Sequence, residues 1–206
     1  MHDPTVNEDL LSRFEREGGP VHRLYEPPAI LAVLGAGGKP ETDLLLENLR
    51  ADGVPHAYRR GGGGTVVLSP GQVVLALVAE VGSPYRNREY AVQINGWFIE
   101  ALASLGVDGV THEGISDLAV GGRKILGTSI YRRRLILFYQ ASLLVHCDTG
   151  LFSRYLAMPR QVPEYRGGRS HEEFCTTLRA QGLQAGTVEV IAALEKVLSA
   201  RLPAFR

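Results

Sequence analysis

Two stretches of this chain carry the residue types that reactive chemistry needs. The first is Arg59-Arg60-Gly61-Gly62-Gly63-Gly64-Thr65-Val66. Glycine has no Cβ and tolerates positive φ, so its backbone passes close to a ligand and offers N–H groups to anionic or carbonyl oxygens. Four bare glycines would read as a flexible surface loop. Here apolar strand sequence flanks them on both sides, and four glycines cost backbone entropy that a plain connection avoids. The second stretch is Ser116-Asp117-Leu118-Ala119-Val120-Gly121-Gly122-Arg123-Lys124-Ile125-Leu126-Gly127-Thr128. Lys124 is one of three lysines in a chain with nineteen arginines. A compact ammonium suits a point contact to an oxygen that gains charge in a transition state. Strand alternation places Lys124 on one face with Leu126 and Thr128. Taken alone, the same lysine would read as a solvated residue on a hairpin.

A third cluster, His146-Cys147-Asp148, could activate a thiol if the imidazole lowered its pKa. Neighbouring strand residues point to opposite faces, however, and small buried cysteines are usually core fillers. The bland reading is preferred. No CxxC or HExxH spacing occurs, and two cysteines make no disulfide framework.

The elements that must position these residues follow from periodicity. Asn7 is placed to cap a helix bearing Leu10, Leu11 and Phe14, stopped by Gly18-Gly19. Val21 to Tyr25 and Ala29 to Leu34 read as strands, and Thr42 to Ala51 as a helix closed by Asp52-Gly53. Val54 to Arg60 is extended. Thr65 to Leu68, the turn Ser69-Pro70-Gly71-Gln72, and Val73 to Val81 read as a β-hairpin. Tyr90 to Leu105 is the longest amphipathic helix. Leu118 to Cys147 is a β-meander with one turn at Gly121-Gly122 and another near Arg132-Arg133. The run Arg132-Arg133-Arg134 reads as a solvated turn, or as rim charge for an acidic partner. Leu151, Phe152, Tyr155 and Leu156 share a helical face. Ser170-His171-Glu172-Glu173 is a capping box opening a helix through Leu178. Thr187 to Ala200 is the last helix. Strands and helices mix without strict alternation, which predicts an α+β (mixed α/β) fold: one domain over residues 1–206, with a largely antiparallel sheet flanked by helices.

The bulk numbers bound the function. The chain has 206 residues, with 22 basic and 22 acidic side chains. Charge balance excludes a strong general attraction for nucleic acid or anionic lipid. The longest apolar stretch, Val73 to Ala79, is far short of the roughly 20 residues a bilayer crossing needs. Met1-His2-Asp3-Pro4 lacks a secretory pattern. The expectation is a soluble, cytoplasmic protein with no nucleic-acid or membrane partner.

Taken together, Arg59-Arg60 through Gly64-Thr65-Val66, then Gly71-Gln72, then Ser116-Asp117-Leu118 with Gly122-Arg123-Lys124-Ile125-Leu126-Gly127-Thr128, resemble the lipoate–protein ligase A and lipoyl(octanoyl)transferase family, which is related to the biotin–protein ligase catalytic domain. Ser142-Leu143-Leu144-Val145, Tyr155-Leu156, Tyr165-Arg166 and Arg169-Ser170-His171 are similar to the family's later segment. The resemblance implies ATP-dependent activation of lipoate to lipoyl-AMP, usually with Mg2+, and transfer of the lipoyl group to a lysine of a carrier domain of the 2-oxoacid dehydrogenase E2 or glycine-cleavage H-protein type. Octanoate is the alternative acyl group, and biotin a lesser one. By the same resemblance Lys124 contacts the acyl carbonyl and α-phosphate. Gly62, Gly63, Gly64 and Thr65 line the substrate groove with Arg60 beside them. Asp117 lies near the nucleotide or a magnesium ion, and Gly127 and Thr128 complete the binding residues. The Val73–Val81 strand and the Tyr90–Leu105 helix would wall the acyl channel, and His171 would be structural or near the nucleotide mouth.

The pattern also departs from the family's. Leu68-Ser69-Pro70-Gly71-Gln72 stands where ligases tend to carry His-Asp before Gly-Asn, and its Pro-Gly-Gln is closer to octanoyltransferases. Those enzymes use a cysteine in a Pro-Cys-Gly element, or one shortly before the lysine motif. Cys147 and Cys175 have neither context, and His112-Glu113-Gly114 holds no thiol. An adenylate needs no thiol, which favours the ligase reading. Larger ligases carry a C-terminal accessory domain, absent from this reading of the chain; some members obtain it as a separate polypeptide. The alternatives are an acyl-carrier-protein-dependent transferase and a non-catalytic acyl- or nucleotide-binding half of a split ligase.

Overall fold

The apolar run after Gly71 organises the molecule, because it is a strand covered on both faces. The computed structural model describes residues 5–159 and 162–206; Met1 to Pro4, read above for targeting signals, lie outside them. In chain order the elements are α1 (Asp9–Glu17), β1 (Val21–Tyr25), β2 (Leu31–Leu34), α2 (Pro40–Asp43), α3 (Leu46–Ala51), β3 (His56–Tyr58), β4 (Val66–Leu68), β5 (Gln72–Glu80), α4 (Asn87–Ser104), β6 (Val110–Glu113), β7 (Asp117–Val120), β8 (Arg123–Arg133), β9 (Ile136–Leu144), α5 (Gly150–Tyr155), α6 (His171–Phe174) and α7 (Thr187–Arg201), with 3-10 turns at Glu164–Arg166, Arg179–Gln181 and Leu202–Ala204.

Six strands form an antiparallel sheet in the order β1-β5-β9-β8-β7-β6. Side chains alternate across β5. Val73, Leu75, Leu77 and Ala79 join the core built with α4 and α7, through Ile94, Phe98, Leu102, Val190, Leu194 and Leu198. Ala76 and Val78 pack on Leu10 of α1, while Val74 meets Val33 and Leu68. Those last two belong to a second, three-stranded sheet, ordered β3-β2-β4, in which β2 pairs parallel with β3 and antiparallel with β4. The predicted α+β class with a largely antiparallel, helix-flanked sheet is what the chain adopts.

Several local expectations are corrected. Thr65–Leu68 and Val73–Val81 are not a hairpin: β4 pairs with β2 and β5 with β1 and β9, so the intervening turn carries the chain from one sheet to the other. The predicted Thr42–Ala51 helix is two short ones, interrupted at the extended Leu44. Leu44 bridges to Leu156, and the Leu45 N–H donates to the Tyr155 carbonyl, a tertiary pairing that outcompetes helix continuation. Asn7 does not cap α1; at φ +58° its side chain instead donates to the Tyr25 hydroxyl and accepts from Arg23. The second meander turn falls at Arg134-Leu135, with Arg134 at φ +55°. The capping box at Ser170 forms with both its bonds, but α6 ends at Phe174 because Cys175 leaves to pair with Lys124.

Candidate active site

The two sheets enclose a cavity of about 270 Å³ on the face of the large sheet opposite α4. Val33 and Val66 to Leu68 supply one wall, and Val74, Leu126 to Ser129 and Gln140 to Ser142 the other. Phe152, Leu156 and Phe174, from α5, its C-terminal boundary and α6, close the apolar end. The charged side chains on its lining are Arg59, Lys124 and Arg166, with His171 beside them, and no carboxylate is among the lining residues described. A chain of zero formal charge thus concentrates cations around one apolar space.

Lys124 enters from the start of β8. The turn before it is a two-residue hairpin with Gly121 at φ +56° and Gly122 at φ +72°, a backbone that side-chain-bearing residues resist. Ala119 pairs with Lys124 but Leu118 pairs with Leu126, so Ile125 is the extra residue of a β-bulge. The simple alternation expected for Lys124, Leu126 and Thr128 is therefore reset: Ile125 and Leu126 both reach the main core, and Lys124, Gly127 and Thr128 edge the cavity. Lys124 Nζ lies 2.8 Å from Asp117 Oδ1. The Tyr165 hydroxyl donates to Asp117 Oδ2 at 2.8 Å. Gly127 leaves room for the lysine, since a Cβ there would stand 2.9 Å from its Cε and 3.0 Å from its Nζ. On the other side, the Lys124 carbonyl accepts from the Thr176 N–H at 2.9 Å, and Lys124 bridges to Cys175.

The glycine loop is shaped by the arginine next to the one singled out from sequence. Arg59 is 6% exposed, and its guanidinium donates to the carbonyls of Val33 (3.3 Å), Gly62 (2.9 Å) and Gly64 (2.6 Å). Its Nε is buried without a partner among the described residues. Burial lowers its pKa to about 10, so it stays cationic at neutral pH. Arg60 points outward, is paired with Glu8 and lies over the Tyr131 ring at 5.5 Å; it is not on the cavity lining. Both arginines follow the short strand β3, and side-chain alternation says only that neighbours face opposite ways, not which of the two faces inward. Gly64 and Thr65 line the cavity, whereas the Gly62 carbonyl is taken up by Arg59 and by Ser129, whose hydroxyl donates to it at 3.1 Å. Gly63 takes φ +91° and is likewise off the lining. At Gly61 a Cβ would sit 1.9 Å from Ser129 Oγ, so the loop can close against β8 only with glycine there. The cavity is walled by Val74 of β5 as expected, but α4 covers the other face of the sheet and contributes nothing to it.

Both Arg166, which the sequence does not assign to the site, and His171, read from it as structural or near the nucleotide mouth, line the cavity. Arg166 is 4% exposed; its guanidinium rests on the Phe174 ring at 5.0 Å and donates to the Arg169 carbonyl and Met158 Sδ. Burial lowers its pKa. Burial, and then the Arg166 charge, lower that of His171, whose Nε2 is buried with no partner among the described residues. Two other arginines fasten this segment to the lysine hairpin. Arg123 donates to the carbonyls of Glu172, Glu173 and Cys175, and Arg169 to those of Gly122, Tyr165 and Arg166.

Asp117 does not fit a resident magnesium site. One oxygen is engaged by Lys124 and the other by Tyr165, and no group of three His, Cys, Asp or Glu side chains able to hold a metal occurs among the described residues. The thiols are equally unsuited to covalent chemistry. Cys147 is buried, and burial pushes its pKa up to about 12; Cys175 edges the cavity but burial raises its pKa too. Of the arginine run, Arg132 is folded onto Tyr90 and Asn87 rather than freely solvated, and Arg133 reaches Glu15 at 3.6 Å.

An apolar space ended by cations and glycine backbone has the chemistry to receive a hydrocarbon body with an anionic head, and Lys124 lies on its lining. Comparison with known proteins names the class. The sequence model of the lipoyl protein ligase A/B catalytic domain matches residues 5–199, and the chain belongs to that ligase and transferase family. An octanoyltransferase of Prochlorococcus marinus (strain MIT 9313) is 32% identical over 121 residues, covering 58% of this chain and 49% of its own. The bipartite lipoate protein ligase of Thermoplasma acidophilum, solved in a study with its E2 lipoyl domain, superposes with a TM-score of 0.79 at 21% identity, over 100% of this chain and 83% of that one. A lipoate-protein ligase A bound with ATP superposes with a TM-score of 0.78 at 22% identity, over 95% and 79%. These structures establish the shared fold. The chain spans about half to three-fifths of the length of the curated relatives it matches. Among the described residues no helix is long and apolar enough to cross a membrane.

Proposed function

We propose that this chain is the catalytic core of an ATP-dependent lipoate–protein ligase, which converts lipoate to lipoyl-AMP and passes the lipoyl group to a lysine of an E2-type or H-protein-type carrier domain. The observation that carries the reading is the cavity itself: apolar at Phe152, Leu156 and Phe174, cationic at Lys124, Arg59 and Arg166, without a carboxylate on its lining. The ATP bound to the ligase of the same fold supports the nucleotide, and the E2 lipoyl domain paired with the Thermoplasma ligase supports the acceptor.

In the first step a lipoate carboxylate oxygen attacks the α-phosphorus and the bond to pyrophosphate breaks. Lys124 would bridge acyl and phosphate oxygens, lowering the repulsion between two anions brought together. Gly64 and Thr65 would offer backbone and hydroxyl, with Thr128 opposite. The unpartnered His171 Nε2 would accept a hydrogen bond from the nucleotide, and Arg166 would neutralise phosphate charge. In the second step the neutral ε-amine of the acceptor lysine attacks the carbonyl. Negative charge builds on the carbonyl oxygen beside Lys124, the bond to the AMP oxygen breaks, and the amine loses its proton. Magnesium would arrive with the triphosphate, since Asp117 is already occupied by its two partners.

A second reading, octanoyl transfer from acyl carrier protein, is favoured by the Prochlorococcus relative and by Pro70-Gly71-Gln72. The raised pKa of both cysteines counts against a thioester route. A third is the acyl- or nucleotide-binding half of a split ligase, in line with the bipartite Thermoplasma enzyme and completed by a separate accessory polypeptide. Intact-mass measurement of an apo lipoyl domain separates them. A lipoyl adduct that needs both lipoate and ATP is expected. An adduct formed from octanoyl-carrier protein without ATP would replace the ligase by the transferase. No adduct, with a melting temperature raised by lipoate, would leave a binding module.

A further inference from the structure

We infer that Tyr165 is a positioning residue for Lys124, acting through Asp117. The inference rests on the proposed reading only in taking Lys124 as the cation of the reacting site.

Asp117 is held at its backbone from the core side. The Ser116 carbonyl accepts from Asn95 Nδ2 (2.9 Å) and from Thr128 Oγ1 (3.2 Å), and Asn95 Oδ1 accepts from the fully buried Tyr139 hydroxyl (2.6 Å). These bonds hold the backbone and leave the side chain to its own torsions, the softest being the carboxylate's rotation about its broad terminal bond. The Tyr165 phenol removes it. By donating to Oδ2 it sets the carboxylate plane and leaves Oδ1 as the oxygen facing Lys124 Nζ. A lysine side chain has enough rotamer freedom that a fixed partner decides where its ammonium spends its time.

Tyr165 is itself immobilised. Its ring packs against Phe174 at 4.9 Å, and Phe174 lies in turn under the Arg166 and Arg169 guanidiniums. The loop at Gly114, φ +55°, comes so close that a Cβ there would stand 3.4 Å from the Tyr165 ring. Burial, reinforced by the neighbouring Asp117 charge, raises the phenol's pKa, so it remains a donor throughout the ordinary pH range. Tyr165 therefore couples the Pro163–Phe174 segment to the amine on β8.

Tyr165→Phe keeps the ring and its packing while removing the hydroxyl. The first readout is competitive labelling with an amine-reactive reagent, read by peptide mass spectrometry, with Lys39 and Lys196 as internal references. Lys124 labelling should rise roughly fivefold while the two references stay constant, because a carboxylate no longer held by the phenol no longer fixes the amine in one place. Asp117→Asn, approached from the other end, should raise it at least as much. The second readout is acyl transfer to the lipoyl domain: kcat should fall roughly tenfold with both substrate KM values within about twofold. Adding Tyr165→Phe to Asp117→Asn should change neither readout further. Wild-type labelling and kcat in Tyr165→Phe, or an equal added effect in the Asp117→Asn background, would overturn the inference. If the wild-type protein transfers no acyl group, the proposed function falls, and the labelling ratio still decides the role of Tyr165.

Discussion

The glycine loop and the lysine hairpin face each other across the cavity and are built on opposite principles. The loop from Arg59 to Thr65 has little backbone pairing of its own, and its shape comes from a guanidinium buried beneath it that gathers the carbonyls of Val33, Gly62 and Gly64. The hairpin from Asp117 to Thr128 is closed by backbone ladder bonds and a two-glycine turn, and the charged groups at its tip sit on a scaffold already made. In the loop, one side chain serves fold and site together. In the hairpin, the scaffold does not depend on the Lys124 side chain for its ladder bonds or its turn.

The largest effect expected from this contrast is at Lys124. Lys124→Ala should reduce acyl transfer roughly 10²- to 10³-fold, the usual cost of losing one donor to a developing oxyanion. Its melting temperature should stay near wild type, because a partly exposed ion pair contributes about 1 kcal/mol or less. A large drop in melting temperature would erase the distinction between the two regions. At Arg59 the two effects should instead move together. Arg59→Met removes the guanidinium bonds to three carbonyls, of which Gly62 keeps the Ser129 hydroxyl, and a loss of about 2–4 kcal/mol in stability is expected, with reduced transfer. The adjacent Arg60→Ala gives up an exposed pair with Glu8 and should cost about 0.5 kcal/mol or less, with transfer unchanged. Denaturant titration of the two variants checks the order; equal losses would show that the buried guanidinium does not organise the loop. The smallest effect is expected at Cys147. A thiol whose pKa is pushed to about 12 is protonated at pH 8, so Cys147→Ser should transfer within about twofold of wild type and wild-type protein should alkylate there slowly. Loss of transfer in that variant would restore the thioester route.

The sequence was most legible where local chemistry decides the outcome. Gly121-Gly122, the Ser170 capping box and the Tyr90–Leu105 periodicity each specify their element without help from the rest of the chain. Legibility failed where a partner distant in sequence overrides a local preference. Pro70-Gly71 reads as the apex of a hairpin, yet β4 finds a better partner in β2. Thr42 to Ala51 reads as one helix until Leu44 and Leu45 are claimed by Leu156 and Tyr155. The site divided in the same way. Lys124 stood out by its rarity among basic residues, and Gly64, Thr65, Gly127 and Thr128 came with the motifs; all five line the cavity. Choosing Arg59 over Arg60 needed the facing of two residues just past a three-residue strand, too short for a pattern to reveal. Arg166 and His171 reach the cavity through a segment of turns and a single helical turn, where no periodicity announces which side faces inward.

The bridge from Lys124 to Cys175, with the Thr176 N–H on the Lys124 carbonyl, has a consequence for the order of assembly. Those contacts close a loop of roughly fifty residues, which carries its own entropic cost and forms late relative to the hairpins. During synthesis the glycine loop and the β5 strand leave the ribosome well before Cys175 does. Until Tyr165 and Cys175 are in place, the Lys124 amine lacks both the phenol behind Asp117 and the backbone seal. On the proposed reading, the acyl site would be complete only once the Tyr165 and Cys175–Thr176 contacts have joined the lysine hairpin.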